Sequence, residues 1–350
     1  MFKSVPASKS SKFAISSSSS SPPLPSSCTS SLYLKYGALI LITLQTTVLV
    51  LTLRYSRKQS SPNESYFNST AIFISEILKF LCCCFVLIVQ NSFSGFIHAV
   101  QKEILYKPKE SLKIAVPSFL YTIQNNLLFL ALTNLDAATY QVTYQFKIII
   151  TALFSKWLLR KDLSLKQWFA LFLLMFGVIM VQWPNEKNMV HSSTSHQRNE
   201  SKLIGLVAII LSSFTSGFSG VYFEKLLKSS KSQSLWIKNI QLTTFCCFFS
   251  FFLILMNDYK NILTKGFFFG YNQVTYLVII LQALGGICVS LVVKYADNIL
   301  KGFATTISII LSTIFSICFF EDFLPTASFY LGTLLVISLD RILEKVLFCS

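Results

Sequence analysis

The sequence predicts an all-α polytopic membrane protein of about ten transmembrane helices, arranged as two inverted five-helix repeats. Composition is the first ground: the chain is 53% hydrophobic, holds 33 Phe and is only 13% charged, where a soluble domain carries roughly 25% charged residues. The second is that apolar runs of about 20 residues recur along its whole length, each long enough to cross a bilayer. The third is a pattern of polar markers in the first half that returns, in the same order, in the second. The net charge of +15 fits basic loops beside membrane spans, and nucleic acid is not an expected partner.

Residues 1–30 read as a polar, disordered tail: Ser16–Ser21, Pro22, Pro23 and Pro25 stand among Lys3, Lys9 and Lys12, with too little apolar surface to fold. No short apolar run with a cleavage site follows Met1, so the first span is expected to act as an uncleaved anchor. Hydropathy places the spans at 32–53, 68–90, 111–131, 136–159, 165–183, 203–224, 236–256, 273–293, 297–320 and 325–345. Two of these carry charge, the second at Glu76 and Lys79 and the tenth at Asp340, Arg341 and Glu344. The implied organisation is a tail over 1–30, a first repeat over 31–183, a lumenal linker over 184–202 and a second repeat over 203–347.

Two signals orient the chain. The even loops hold Lys102, Lys107 and Lys109; Arg160 and Lys161; Lys225, Lys228 and Lys231; and Lys294. That modest excess, with the basic tail, puts the even loops and both termini in the cytosol. The sequons at Asn63, Asn68 and Asn199 all fall in or beside odd loops, where glycosylation requires the lumenal side. In the repeat pattern, Asp136 leads to Lys161-Asp162-Leu163 and a span around Gly177, while Asp297 leads to Glu321-Asp322-Phe323 and a span around Gly332. A repeat unit with an odd number of spans must place its two copies in opposite orientations.

Function is written in two lysines. Lys147 and Lys301 lie in stretches that otherwise read as lipid-buried helix. A lysine at the bilayer centre costs about 2.5–3.5 kcal/mol on insertion scales, so it normally faces a bundle interior or a water-filled path. Tyr140, Tyr144 and Lys147 follow Asp136 at offsets of 4, 8 and 11, and Lys301, Thr305 and Ser308 follow Asp297 at the same offsets. Those offsets keep to one helix face. Each helix therefore carries one polar stripe, as a cavity lining does. The pair Glu76 and Lys79, at i and i+3, reads equally as a structural ion pair or as part of the path. The small-residue spacings in Ser212–Gly220 and at Gly285-Gly286 read as close helix packing. The nine Cys show no C-x-x-C spacing, and His98, His191 and His196 all lie in loops, with no pair at metal-ligand helical spacing within the membrane, so no metal site or cofactor is expected. No Asp-x-Asp, Gly-x-Ser-x-Gly, His-Glu-x-x-His or phosphate-binding Gly-rich loop occurs, which argues against an enzyme. Scattered Lys, Tyr, Asn and Gln do not make the ring of like groups that a passive channel needs.

Tyr121-x-x-Gln124-Asn125-Asn126-Leu127, Asn134-Leu135-Asp136-Ala137-Ala138-Thr139-Tyr140-Gln141-Val142-Thr143-Tyr144-Gln145-Phe146-Lys147, Ser216-Gly217-Phe218-Ser219-Gly220-Val221-Tyr222-Phe223-Glu224-Lys225, Trp236–Gln241 and Lys294–Phe303 together resemble the nucleotide-sugar transporters of the Golgi, within the drug/metabolite transporter superfamily. The resemblance covers roughly residues 32–337 and is nearest to members that carry UDP-N-acetylglucosamine. The Ser-rich start and the charged end at Asp340–Ser350 depart from it. It implies ten helices, both ends cytosolic, residence in the Golgi membrane and exchange of a cytosolic nucleotide sugar for lumenal UMP. By motif position it maps the nucleotide pocket onto Tyr121, Asn125, Tyr140, Lys147, Ser216, Asn239 and Lys301, with Glu76 and Lys79 nearer the sugar. The chemistry agrees: lysines meet phosphate as point charges, Tyr121, Tyr140 and Tyr144 offer ring faces and hydroxyls, and Asn125 and Asn239 offer amides for ribose or base. The alternatives are UDP-galactose or another nucleotide sugar, or a non-nucleotide metabolite carried by a related transporter. Expected partners are the nucleotide sugar, UMP and membrane lipid, and, as protein partners, a second copy of the chain or a Golgi glycosyltransferase.

Overall fold

The computed structural model describes residues 26–59, 66–135, 137–181, 197–229, 234–320 and 327–348. The described residues form helices joined by short turns and loops, without a strand, and seven of their helical segments are long and apolar enough to cross a membrane. The chain is an all-helical, multi-pass membrane protein. The helices are α1 (Ser26–Gln59), α2 (Asn68–Val100), α3 (Pro108–Asn134), α4 (Ala137–Tyr144), α5 (Phe146–Leu159), α6 (Leu165–Val181), α7 (Gln197–Ser229), α8 (Leu235–Leu253), α9 (Tyr259–Lys265), α10 (Gln273–Tyr295), α11 (Asn298–Phe320) and α12 (Ala327–Phe348).

Every expected span meets a helix, with informative differences. Helix α1 begins at Ser26, inside the stretch read as tail, and reaches Gln59. Residues 1–25, Asn63, Asp136 and Glu321–Phe323 lie outside the described residues. Helix α2 outruns its expected end; Ser92, at φ 64 and ψ 164, breaks its axis, and a π-helical turn over Gln101–Leu105 follows. The span expected at 136–159 is two helices meeting at Gln145, where the backbone tightens to i→i+3 bonds from Gln145 N–H to the Val142 carbonyl and from Ile148 N–H to the Gln145 carbonyl. The linker expected over 184–202 is already helical from Gln197.

Local chemistry explains the ends. Pro108 starts α3, where its missing N–H costs nothing. Arg160, left-handed at φ 54, stops α5. Asn272 and Thr275 form a reciprocal capping box that starts α10.

The main packing partners are α3 with α7 and α8, α1 with α10 and α11, α2 with α8 and α10, α5 with α7, and α6 with α12. Bare backbone lets α6 and α12 cross: a Cβ on Gly332 would stand 2.7 Å from the Gly177 carbonyl and 2.8 Å from the Val181 nitrogen. That crossing belongs to the largest core cluster, built on Leu171, Leu174, Val178, Phe303, Ile310 and Val336. At the end where α2 begins, Tyr271 donates to Thr70 Oγ1 at 2.9 Å and Ser69 donates to Asp258. Around these bonds Tyr66 packs edge-on to Tyr271, and Phe67 tilts against Phe269. Gly266 and Gly270, at φ 90 and φ 72, supply the left-handed turns that fold this aromatic loop back.

Candidate functional site

The site is built where α4 and α5 meet α3, α7 and α11. Tyr140 and Tyr144, one turn apart, stack with centroids 6.1 Å apart and planes 21° from parallel. The Lys147 ammonium stands over the Tyr144 ring, 4.1 Å from its centroid, a cation–π contact worth about 0.5–2 kcal/mol. The Tyr144 hydroxyl bonds to Ser216 of α7 and Gln124 of α3. The Tyr121 hydroxyl bonds to Ser219. Gly217 lies between Ser216 and Ser219 and brings α7 against α5: a Cβ there would stand 2.9 Å from the Ile150 side chain and 3.2 Å from the Thr151 nitrogen. The small residues expected to serve packing thus also carry the tyrosines' hydrogen-bond partners.

Lys301 sits one turn into α11, close enough to Lys147 for the two charges to repel. Neither lysine has a salt-bridge partner among the described residues. Two unpaired ammonium groups beside stacked rings and oriented hydroxyls form a receptor for a bulky anion with a flat ring. No trio of His, Cys, Asp or Glu stands at metal-binding distance among the described residues.

Of the residues singled out by sequence, Tyr121, Tyr140, Tyr144, Lys147, Ser216 and Lys301 converge. Asn125 lies on the same helix as Tyr121 and is exposed. Asn239 is different: it is fully buried, donates to the Leu235 carbonyl at 3.2 Å and accepts from Ser290 at 2.6 Å. It bonds α8 to α10 and offers no exposed atom to a ligand. Glu76 and Lys79 form an ion pair at 2.7 Å, as the i, i+3 spacing allows. The Lys79 stem lies across Gly286, where a Cβ would stand 2.7 Å from Cδ, and the Gln45 amide lies across Gly285 in the same manner. The Gly285-Gly286 pair therefore clears room on α10 for two polar side chains. Asn68 begins α2, while Asn63, Asp136 and the side chain of Asn199 lie outside what is described.

Gln124 and Ser219 were not among the sequence candidates, although Gln124 stands three residues after Tyr121 on one helix face. A charged cluster was also missed: Lys161, Glu224, Lys228 and Asp297 join the α5–α6 turn, the end of α7 and the α10–α11 turn. Its signal was Glu224, an isolated acid in an apolar helix. Burial opposes charge on Asp297, but Lys161 and the Leu300 N–H outweigh it and hold the carboxyl below the usual range. Burial also works against Lys161, yet Asp297 and Glu224 keep its ammonium above the ordinary lysine value.

Several known proteins resemble this chain over most of its length. The UDP-N-acetylglucosamine transporter of Rattus norvegicus is 50% identical over 307 residues, 87% of this chain and 93% of that protein. The human UDP-N-acetylglucosamine transporter is 49% identical over 309 residues, with the same shares covered. The UDP-galactose transporter of Schizosaccharomyces pombe is 43% identical over 324 residues, 89% of this chain and 88% of that protein. A protein crystal structure only 11% identical in sequence superposes with a TM-score of 0.58, over 89% of this chain and 99% of that one, and shares the fold alone. Residues 30–340 match the nucleotide-sugar transporter family. With half its residues identical to those of such carriers over 87% of its length, and residues 30–340 matching the family, this chain belongs to the nucleotide-sugar transporter family.

Proposed function

We propose that the protein carries UDP-N-acetylglucosamine from the cytosol into the Golgi lumen in exchange for UMP. The observation that carries this reading is the lysine pair. Lys147 and Lys301 lack carboxylate partners among the described residues and stand beside the Tyr140–Tyr144 stack, so a diphosphate would supply the missing counter-charge while a nucleobase meets the rings. Tyr121 and exposed Asn125 add a hydroxyl and an amide for ribose or base; buried Asn239 acts by holding α8 to α10. In this reading the Glu76–Lys79 ion pair serves the sugar end of the ligand. Identity near 50% to rat and human proteins of that specificity supports the choice of sugar.

Two inverted repeats, α1–α6 and α7–α12, explain how one cavity serves both sides. The packing supports this arrangement, because exchanging each span for its counterpart five spans later maps the contacts onto themselves. The α3–α7 pair exchanges with α10–α1, α5–α7 with α11–α1, and α3–α8 with α10–α2, while α2–α8 and α6–α12 map onto themselves. Electrostatics supports exchange: with no anion bound, the Lys147 and Lys301 ammonium groups repel each other, and an unloaded carrier in that condition would reorient poorly.

Reconstitution tests the reading. Liposomes loaded with UMP should take up labelled UDP-N-acetylglucosamine severalfold faster than empty ones, with little effect of a proton ionophore or of sodium removal. Equal rates would make the protein a uniporter. UDP-galactose is the second reading, favoured by the 43% identity to the Schizosaccharomyces pombe transporter. Faster uptake of that sugar in the same liposomes would replace the first.

A further inference from the structure

Glu224 is fully buried. A carboxylate in that position is tolerable only with close partners, and it has three. Its Oε1 accepts from Lys228 at 2.7 Å and Lys161 at 3.0 Å, and its Oε2 accepts the Asn298 N–H at 2.9 Å. Lys161 Nζ also lies 3.1 Å from Asp297 Oδ2, and Asp297 Oδ1 accepts the Leu300 N–H at 2.8 Å. Lys228 reaches the Ala296 carbonyl at 2.7 Å. Lys35 of α1 completes the charged surroundings, within reach of Asp297, Lys228 and Lys161. The two carboxylates thus sit on the first N–H groups of α11, where negative charge is favoured, and the lysines tie them to α7 and to the α5–α6 turn.

The placement matters because the substrate lysines ride on the two helices joined here. Lys301 is one turn beyond Asp297 on α11, and Lys147 is on α5, which ends at the Lys161 turn. These helices are pinned to each other and to α7 at this end. Beyond the Gln145 break they take different neighbours: α4 packs on α3 and α7, and α11 runs along α1. In a carrier of inverted repeats, such a one-ended tie closes one mouth of the cavity and leaves the closure of the other to the alternate state.

We propose that Lys161, Glu224, Lys228 and Asp297 form an ionic latch that shuts the cytosolic mouth in the lumen-facing state and must part in every transport cycle. Lys161 is its removable bolt: it is 31% exposed and makes both cross-links from the α5–α6 turn, while Glu224 keeps Lys228 and the Asn298 N–H when Lys161 leaves. These are positioning residues that bias the two states. The proposal rests on the transport reading and orientation above.

The test uses the full chain, native and with Lys161→Ala, Asp297→Asn or Lys161→Arg, in oriented proteoliposomes. The Michaelis constant for the nucleotide sugar is read at the cytosolic face, and that for UMP at the lumenal face. Weakening the latch enlarges the cytosol-facing population, so the cytosolic constant should fall and the lumenal constant rise, by about two- to tenfold each. Lys161→Arg, which can bridge both carboxylates, should stay near native values. A merely structural cluster would lower maximal rate and yield without moving the two constants in opposite directions, and that result overturns the latch. The mirror asymmetry would keep the latch and overturn the orientation. Hydrogen–deuterium exchange of the substrate-free protein judges the latch apart from any substrate: Lys161→Ala should speed exchange at residues 296–301, and unchanged protection there overturns it.

Discussion

Replacing Lys147 by alanine separates a binding charge from a structural one. In the structure its ammonium lies 4.1 Å from the Tyr144 ring centroid and has no salt-bridge partner among the described residues. The fold therefore loses a cation–π contact of about 0.5–2 kcal/mol and is relieved of the repulsion from Lys301, two effects of opposite sign. The melting temperature of the ligand-free protein should move by only about 2–4 °C in either direction. Substrate loses a charged hydrogen bond, worth about 1.5–3 kcal/mol, so kcat/KM for uptake should fall about ten- to a hundredfold. Lys147→Arg should rescue poorly, because a planar fork does not fit a place occupied by a compact ammonium. The assays are proteoliposome uptake and thermal melting with and without UMP, whose stabilising effect should vanish in the alanine variant. Near-native uptake would remove Lys147 from the site. Collapse of the ligand-free melting temperature would show that the charge holds the fold.

Gly332→Ala should destabilise by about 1–3 kcal/mol, because its Cβ meets backbone on both sides, whereas Gly302→Ala, with nothing within 4 Å of its Cβ, should be neutral or mildly stabilising in a thermal melt. Asn68 should carry no glycan, since the Thr70 hydroxyl its sequon needs is buried between Phe67 and Tyr271; an endoglycosidase shift lost on removing Asn63 and Asn199 but kept on removing Asn68 checks this. The Lys161–Asp297 pair should make stability flat from roughly pH 5 to 9. Its depressed carboxyl contributes above an unfolded pKa of about 3.9 and loses that as pH falls through the folded value, while its raised ammonium contributes below about 10.4 and loses that as pH rises through the folded value. A melting-temperature step near neutrality that disappears in Asp297→Asn would contradict this assignment.

What could be read from sequence was what hydropathy and helical period encode. The spans, the tyrosine–lysine face of α4 and α5, and the place of Lys301 one turn into α11 all follow from local spacing. What escaped depends on groups far apart in the chain. Lys161 and Asp297 are 136 residues apart, and nothing local says that a loop lysine will meet an acid capping another helix. Asn239 is a second case: nothing local says that Ser290, 51 residues further on, will donate to it and bond α10 to α8. The break at Gln145 was hidden because its residues suit helix on either side, and only the i→i+3 bonds reveal the tightened turn.

The tie between Thr70 and Tyr271, with Ser69 on Asp258 and the surrounding rings, has a consequence for following the protein at work. It fastens the start of α2 to the loop before α10 and to the turn after α8, so these three points travel as one body. Spin labels placed on that body should report an unchanging separation through the cycle and serve as an internal ruler. A label near the start of α4, paired with one toward the end of α11, should show two distance populations whose ratio responds to UMP.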